Sequence, residues 1–264
     1  MKKILAIALV AIVSFSCEKV IDIPLNEADQ KVVVEGQLFD IPHESFVKVS
    51  KTGPVYENED FETLDNVSVI VTDNVGGTFT FLEDPLNPGT YIDTSFVTQP
   101  NTIYYLQVTT SEGQFTATSE TFSDVAFDSL DYVMQVGGFG ADPNDTSFFT
   151  FQHFSDNGAE TNYYNTIVFR NDTLVNEYLN NDQLFNGNFI SQPFFADNFG
   201  PKDTCTAVLV SMDEPNYDFK FSLQNNSDGG PFSATPANPV SNIEGGALGF
   251  FGAYVTDIIT IIYP

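Results

Sequence analysis

No tryptophan occurs in this chain, and only two histidines and two cysteines do. Each scarcity removes a class of function. Nucleophilic catalysis near neutral pH ordinarily leans on a histidine base, and His43 and His153 are the only two on offer. His43 follows Ile41-Pro42 in a loop composition, and His153 lies in the aromatic run from Phe148 to Phe154. Neither has zinc or metalloprotease spacing, so both read as surface or strand-packing side chains. A route through two carboxylates needs no histidine, but with 36 acidic residues some pair always adjoins, and that discriminates nothing. No catalytic residue is assigned, and the chain reads as non-enzymatic. Tryptophan has the broadest face for stacking on sugar rings; without it, a glycan platform would have to come from Tyr163, Tyr164 and Tyr178. Lys and Arg number 9 against 36 Asp and Glu, a net charge of −27. Such a chain does not track phosphate backbones, which excludes nucleic acid, and anionic headgroups repel it. Its apolar runs also fall short of the roughly 20 residues that a spanning helix needs.

What is there begins at the N-terminus. Lys2-Lys3, the apolar run Ile4 to Val13 and then Ser14-Phe15-Ser16-Cys17 read as a secretory signal peptide. The small Ser16 before Cys17 resembles the lipobox of bacterial lipoproteins, although Ser14 stands where Leu or Val is usual. The resemblance implies cleavage between Ser16 and Cys17 and lipidation of Cys17. Acyl chains there, at about 0.8 kcal/mol per buried methylene, would hold the protein on a bilayer that its own charge repels. Glu18-Lys19 follow in place of an aspartate, which points to the outer membrane and leaves its periplasmic or exterior face open. Cleavage leaves Cys205 without a cysteine partner except Cys17 itself, so it reads as a small buried hydrophobe. Residues 1–16 are therefore read as signal peptide and 17–30 as lipidated terminus and tether.

From residue 31 the pattern is β. Val32-Val33-Val34, then Phe46-Val47-Lys48-Val49, then Val67, Val69 and Val71 in phase, and Tyr104, Leu106 and Val108 in phase, mark strands. Asp73-Asn74-Val75-Gly76-Gly77 is a hairpin turn, and Asn87-Pro88-Gly89 turns into a further strand. Short strands at this spacing predict a β-sandwich over 31–120. Residues 119–131 read as a hinge. A larger antiparallel β domain over 121–264 follows, with strands at 132–136, 147–154, 162–170, 207–211 and 255–263. The one helical pattern is Asp213 to Gln224, with Pro215 near its start. The fold class is all-β, with at most one short helix.

Residues Asn66 to Asp73, Pro88-Gly89-Thr90-Tyr91 and Tyr104 to Val108 resemble the prealbumin-like, or carboxypeptidase-regulatory-like, modules of bacterial surface proteins, which act as spacers and platforms. Cys17 to Ile23, Val32 to Gly36 and the Pro/Gly-rich stretch Gly230 to Tyr254 together resemble a Bacteroidetes lipoprotein family, DUF4249. That resemblance covers nearly the whole mature chain. It implies a lipoprotein, often encoded beside a TonB-dependent outer-membrane receptor, and brings no catalytic residues. Asp128-Ser129-Leu130 and Asp172-Thr173-Leu174 are similar to Bacteroidetes O-glycosylation motifs, in keeping with export.

Two groups of candidate site residues remain. Phe185, Phe189, Phe194, Phe195 and Phe199 sit among Asn, Gly and Asp in long loops. They read either as anchors buried in a partner or as aromatics folded back on their own sheet. Calcium wants clustered oxygen ligands, and Glu57, Glu59 and Asp60, or Asp142 and Asp145, are weak candidates without EF-hand spacing. The expected function is that of a lipoprotein docking on a TonB-dependent receptor and assisting nutrient capture. The alternatives are a free-standing binding or adhesion lipoprotein for a glycan, peptide or metal ion, and a subunit of envelope-assembly machinery.

Overall fold

The computed structural model describes residues 29–53, 62–137, 145–195, 199–227 and 238–264. Alternation in the first half is realised as β1 (Val32–Leu38), β2 (Phe46–Lys51), β3 (Ser68–Asp73), β4 (Thr78–Glu83), β5 (Thr90–Ile92), β6 (Ile103–Thr110) and β7 (Gly113–Glu120). Val34, Val47, Val49, Val69, Val71, Leu106 and Val108 all point into one apolar cluster, because successive side chains of a strand take opposite faces. The hairpin turn after β3 forms as expected, with the Asp73 carboxylate accepting from the N–H groups of Val75 and Gly77 at 3.0 and 2.6 Å.

The strand order of this sheet is β14-β1-β2-β5-β4-β3-β6-β7, and its first member, β14 (Leu248–Ala253), comes from the far end of the chain. It pairs in parallel with β1, Val33 opposite Leu248 and Leu38 opposite Ala253. The sheet curls until its ends meet, where Thr116 of β7 exchanges two backbone hydrogen bonds with Glu244, at 3.2 and 2.7 Å. The expected division into 31–120 and 121–264 therefore fails for the tail. Without β14 the edge of β1 would lie open, and the core would lose Phe251 and Ala253. Two glycines record this docking. Gly36 occupies an inward position of β1 where a Cβ would come within 2.7 Å of the Phe251 ring, and Gly249, at φ +106°, lies so close to the Val34 carbonyl that a side chain would collide with it.

The remaining strands build a second sandwich. A three-stranded sheet, β12-β9-β8, contains β8 (Phe127–Val136), β9 (Thr146–Ser155) and β12 (Phe189–Pro193). A four-stranded sheet, β11-β10-β13-β15, contains β10 (Tyr163–Arg170), β11 (Thr173–Asn181), β13 (Thr204–Met212) and β15 (Val255–Ile262). All pairings within these two sheets are antiparallel, an immunoglobulin-like division of three strands against four. The hinge is shorter than expected, residues 121–126, since β7 runs to Glu120 and β8 starts at Phe127. Helix α1 (Glu214–Ser227) lies between β13 and β14 in sequence, begins where Asp213 accepts from the Asn216 N–H at 3.1 Å, and carries Pro215 in its first turn. Among the described residues the fold is all-β but for this helix and one 3-10 turn, Asp182–Leu184. No helix among the described residues is long and apolar enough to cross a membrane.

The interior of the second sandwich is not wholly apolar. Thr166 donates to the side-chain carbonyl of Gln152 at 2.8 Å, the Gln152 amide donates to Gln192 at 2.8 Å, and Gln192 and Asn180 exchange amide bonds at 3.0 Å each. This ladder joins β10, β9, β12 and β11, tying the two sheets together. The two sandwiches are stacked end to end. β1 runs from the end where the preceding residues join it to the junction, where the Leu38 carbonyl accepts from the Tyr254 N–H at 2.9 Å. β8 then runs away from the junction, beginning where the Phe127 N–H donates to Asp257 at 2.7 Å.

Candidate functional site

The five loop phenylalanines separate into two kinds. Phe194 and Phe199 are fully buried, in a cluster with Leu130, Phe148, Val168, Cys205 and Tyr263. Phe185 packs partly buried against Phe154 and Tyr164. Phe189 and Phe195 are 60% and 61% exposed. Expectation and outcome differ because the region expected as long loops contains β12, whose pairing with β9 turns Ile190 into the core and Phe189 away from it. The Phe194 and Phe199 backbones bond to Thr150 and Phe148 of β9, which pulls both rings inward.

Phe189 and Phe195 lie on the outward face of the β8-β9-β12 sheet, together with Phe149, Phe151 and His153, the alternate residues of β9. The His153 ring stacks on Phe189, centroids 5.6 Å apart, and its Nε2 lies 3.3 Å from the exposed Asp131 carboxylate. Phe149 meets Phe151 edge to face at 5.3 Å and Phe195 at 6.3 Å. Beside this face runs β8. From Asp131 to Val136 every residue of β8 is exposed, including Tyr132, Val133, Met134 and Val136. The result is an aromatic and aliphatic surface on the half of the molecule remote from the start of β1.

The tyrosines considered for sugar stacking do not form a platform. The Tyr164 hydroxyl donates to Asp156 at 2.7 Å inside the sandwich, Tyr163 packs on Tyr217 of α1, and Tyr178 stacks on Phe194 while its hydroxyl donates to the Phe195 carbonyl at 2.6 Å. Cys205 is buried and unbridged. His43 takes a left-handed backbone conformation in the β1–β2 loop. Asp145 is exposed, and its carbonyl accepts from the Gly137 N–H at 2.8 Å. Ser16, Cys17, Glu57, Glu59, Asp60 and Asp142 lie outside the described residues. Among the described residues no three His, Cys, Asp or Glu side chains converge as metal ligands would.

A second feature, which the sequence reading missed, sits between the sandwiches. Asp213 is buried and latches them: its carboxylate accepts from the Ser119 hydroxyl at 2.7 Å and the Glu120 N–H at 3.2 Å, both on β7. The Asn216 amide, which also bonds to Asp213, donates to the Phe251 carbonyl at 3.0 Å, and the Ala253 N–H donates to Ser119 at 2.9 Å. Burial raises the Asp213 pKa above the usual carboxylate value, with the hydrogen bonds from Asn216, Ser119 and Glu120 pulling the other way. Beside this latch opens a cleft of about 610 Å³ lined by Ile103, Phe122, Glu160, Tyr163, Glu214 and Pro215 among others. Burial, with a hydrogen bond to Glu214, pushes the Tyr163 phenol up to about 12. The only sequence signal for the latch was an aspartate opening the helical pattern.

Fold and site thus define a protein of two stacked β-sandwiches with a locked junction and an exposed aromatic flank. Residues 18–258 match the model of the domain of unknown function DUF4249, and the chain belongs to that family. No curated protein matches. Among solved structures, the crystal structure of chicken CNTN1 FN1-FN3 domains is similar at 13% identity over 88% of this chain, with a TM-score of 0.25. The match spans 62% of that chain.

Proposed function

We propose that this protein is a non-enzymatic outer-membrane lipoprotein, anchored through acylated Cys17, that docks on a TonB-dependent receptor and assists capture or uptake of an extracellular nutrient. The anchor rests on the Lys2-Lys3 to Cys17 signal, and the receptor on the family resemblance of the chain. The observation that carries docking is the exposed apolar surface of the second sandwich, with Val133, Phe189 and Phe195 on the outward face of the β8-β9-β12 sheet and Tyr132 and Met134 along the β8 edge, on the half remote from the start of β1. Exposed apolar surface of this kind marks interaction sites. In this reading the first sandwich is a prealbumin-like spacer, and the latch at Asp213 holds the second at a fixed angle to it. The test is mild-detergent extraction of the tagged native protein with mass spectrometry of what co-purifies. A TonB-dependent receptor in near-equal amount is the expected result, and recovery of the protein alone while the receptor is expressed would overturn the reading. Cys17→Ala is expected to abolish palmitate labelling and membrane association; a variant that stays in the membrane fraction sinks the anchor.

One observation favours a second reading, a free-standing binding lipoprotein. The junction cleft is lined by Glu120, Glu160, Asp213 and Glu214 among others, an acidic lining suited to a small cationic ligand. Recovery without a receptor would turn attention to that cleft.

A further inference from the structure

Natural sheets protect their edge strands with lysines, prolines, bulges or very short strands. β8 is ten residues long and an edge of its sheet, with β9 on one side and, among the described residues, no strand paired on the other. Its single irregularity, a register shift between Phe127 and Ser129, lies at the junction end, where the Asp257 carboxylate of β15 takes the Phe127 N–H. From Asp131 onward the strand has none of these protections. It carries Tyr132, Val133, Met134 and Val136 exposed, with no proline and no lysine.

The surrounding charge says what fits. β8, β9, β12 and β15 contain no Lys or Arg, while Asp128, Asp131 and Asp257 lie on or beside the edge. A second copy of this chain would bring another net charge of −27 and a second Asp131 to the same edge. We propose that residues 131–136 of β8 are a strand-addition site for an extended, lysine- or arginine-flanked segment of a different polypeptide. The incoming strand pairs its backbone with β8. Its alternate apolar side chains lie over Tyr132, Met134 and Val136 on one face and Val133 on the other, and its basic flank meets Asp131. This inference rests on the reading of the chain as a docking protein and names the surface and chemistry of the partner.

The probe is a fluorescein-labelled peptide alternating Val and Thr with lysines at both ends. It is titrated by anisotropy into the purified full-length protein in mild detergent. Two controls accompany it: the same strand with glutamates at the ends, and the lysine form N-methylated at alternate residues. The expected result is saturable binding of the lysine form, weakened by salt, about tenfold weaker for the glutamate form, and abolished by N-methylation. Hydrogen exchange should slow within 131–136 on binding. Val133→Lys with Met134→Lys should remove binding while the thermal transition stays in place; the exchange footprint needs no variant to fold. No binding of the lysine peptide, equal binding of both charge forms, or a footprint elsewhere overturns the proposal. So does dimerisation of the free protein with protection of 131–136, which would make the occupant a second copy. Peptide binding without receptor recovery would sink the receptor reading and leave this one standing; the converse would sink this one alone.

Discussion

In the first sandwich the buried side chains from Val32 to Ala253 merge into a single apolar cluster, and the sheet around them closes on itself through Thr116 and Glu244. In the second, the apolar interior is divided: Phe194 and its neighbours form one cluster, Phe154, Tyr164, Ile190 and Leu209 another, and the Thr166-Gln152-Gln192-Asn180 ladder bonds the two sheets together. The first is specified by shape and pattern, the second partly by hydrogen bonds that tolerate only one alignment of its sheets. The difference extends to the surface. One sandwich hides its edges in a closed ring, and in the other no strand among the described residues pairs with the outer edge of β8.

The comparison can be broken at its strongest point by ending the chain at residue 244. That removes β14 from one sandwich and β15 from the other, and neither should retain a cooperative thermal transition by circular dichroism. A 29–120 fragment that melts cooperatively would refute the shared strand. Next in size, Phe194→Ala should cost about 3–5 kcal/mol in urea denaturation, as other emptied aromatic sites do. Gln152→Leu should cost about 1–3 kcal/mol, because Thr166 and Gln192 lose their partner in a dry interior; an unchanged midpoint would make the ladder ornamental. Asp213→Asn should cost a similar amount, since one pair of donors then faces an amide NH2. It should also change the pH dependence. Asp213 titrates higher in the fold than in the unfolded chain, so its contribution is full below the ordinary value of 3.8 and declines as pH rises through the raised one. The variant should lack that decline, which a melt series from acid to neutral pH would show. Smallest of all, Phe195→Ala should shift stability by less than about 0.5 kcal/mol, although it adjoins Phe194.

Those two neighbours also show where the sequence could be read and where it could not. Strands with clean alternation, such as β1, β3 and β6, were legible to within a residue or two, because one face is buried and the other wet. Helix α1 was legible from Pro215 and its spacing. β14 was not: Leu248-Gly249-Phe250-Phe251-Gly252-Ala253 has the glycines of a coil, and only the close approach of Val34 and the ring of Phe251 over Gly36 explain them. β11 has no alternation to find, since most of its residues are half-buried on both faces. The end of β7 was misread as hinge because Ser119, a polar residue, is buried there by Asp213. Of the candidate site, Phe189 and Phe195 stand where a partner could reach them. Phe194 and Phe199 were indistinguishable from them until the pairing of β9 with its neighbours fixed which way each ring turns.

The parallel pairing of β14 with β1 sets a timetable. A chain made from its N-terminus presents Val33 long before Leu248, its eventual neighbour, exists outside the ribosome. Through that interval the first sandwich waits with a hydrophobic strand uncovered, and contacts so distant in sequence form slowly. Such a nascent chain is a natural client for chaperones, and mutations that slow the arrival of its last residues should lower its yield more than its final stability.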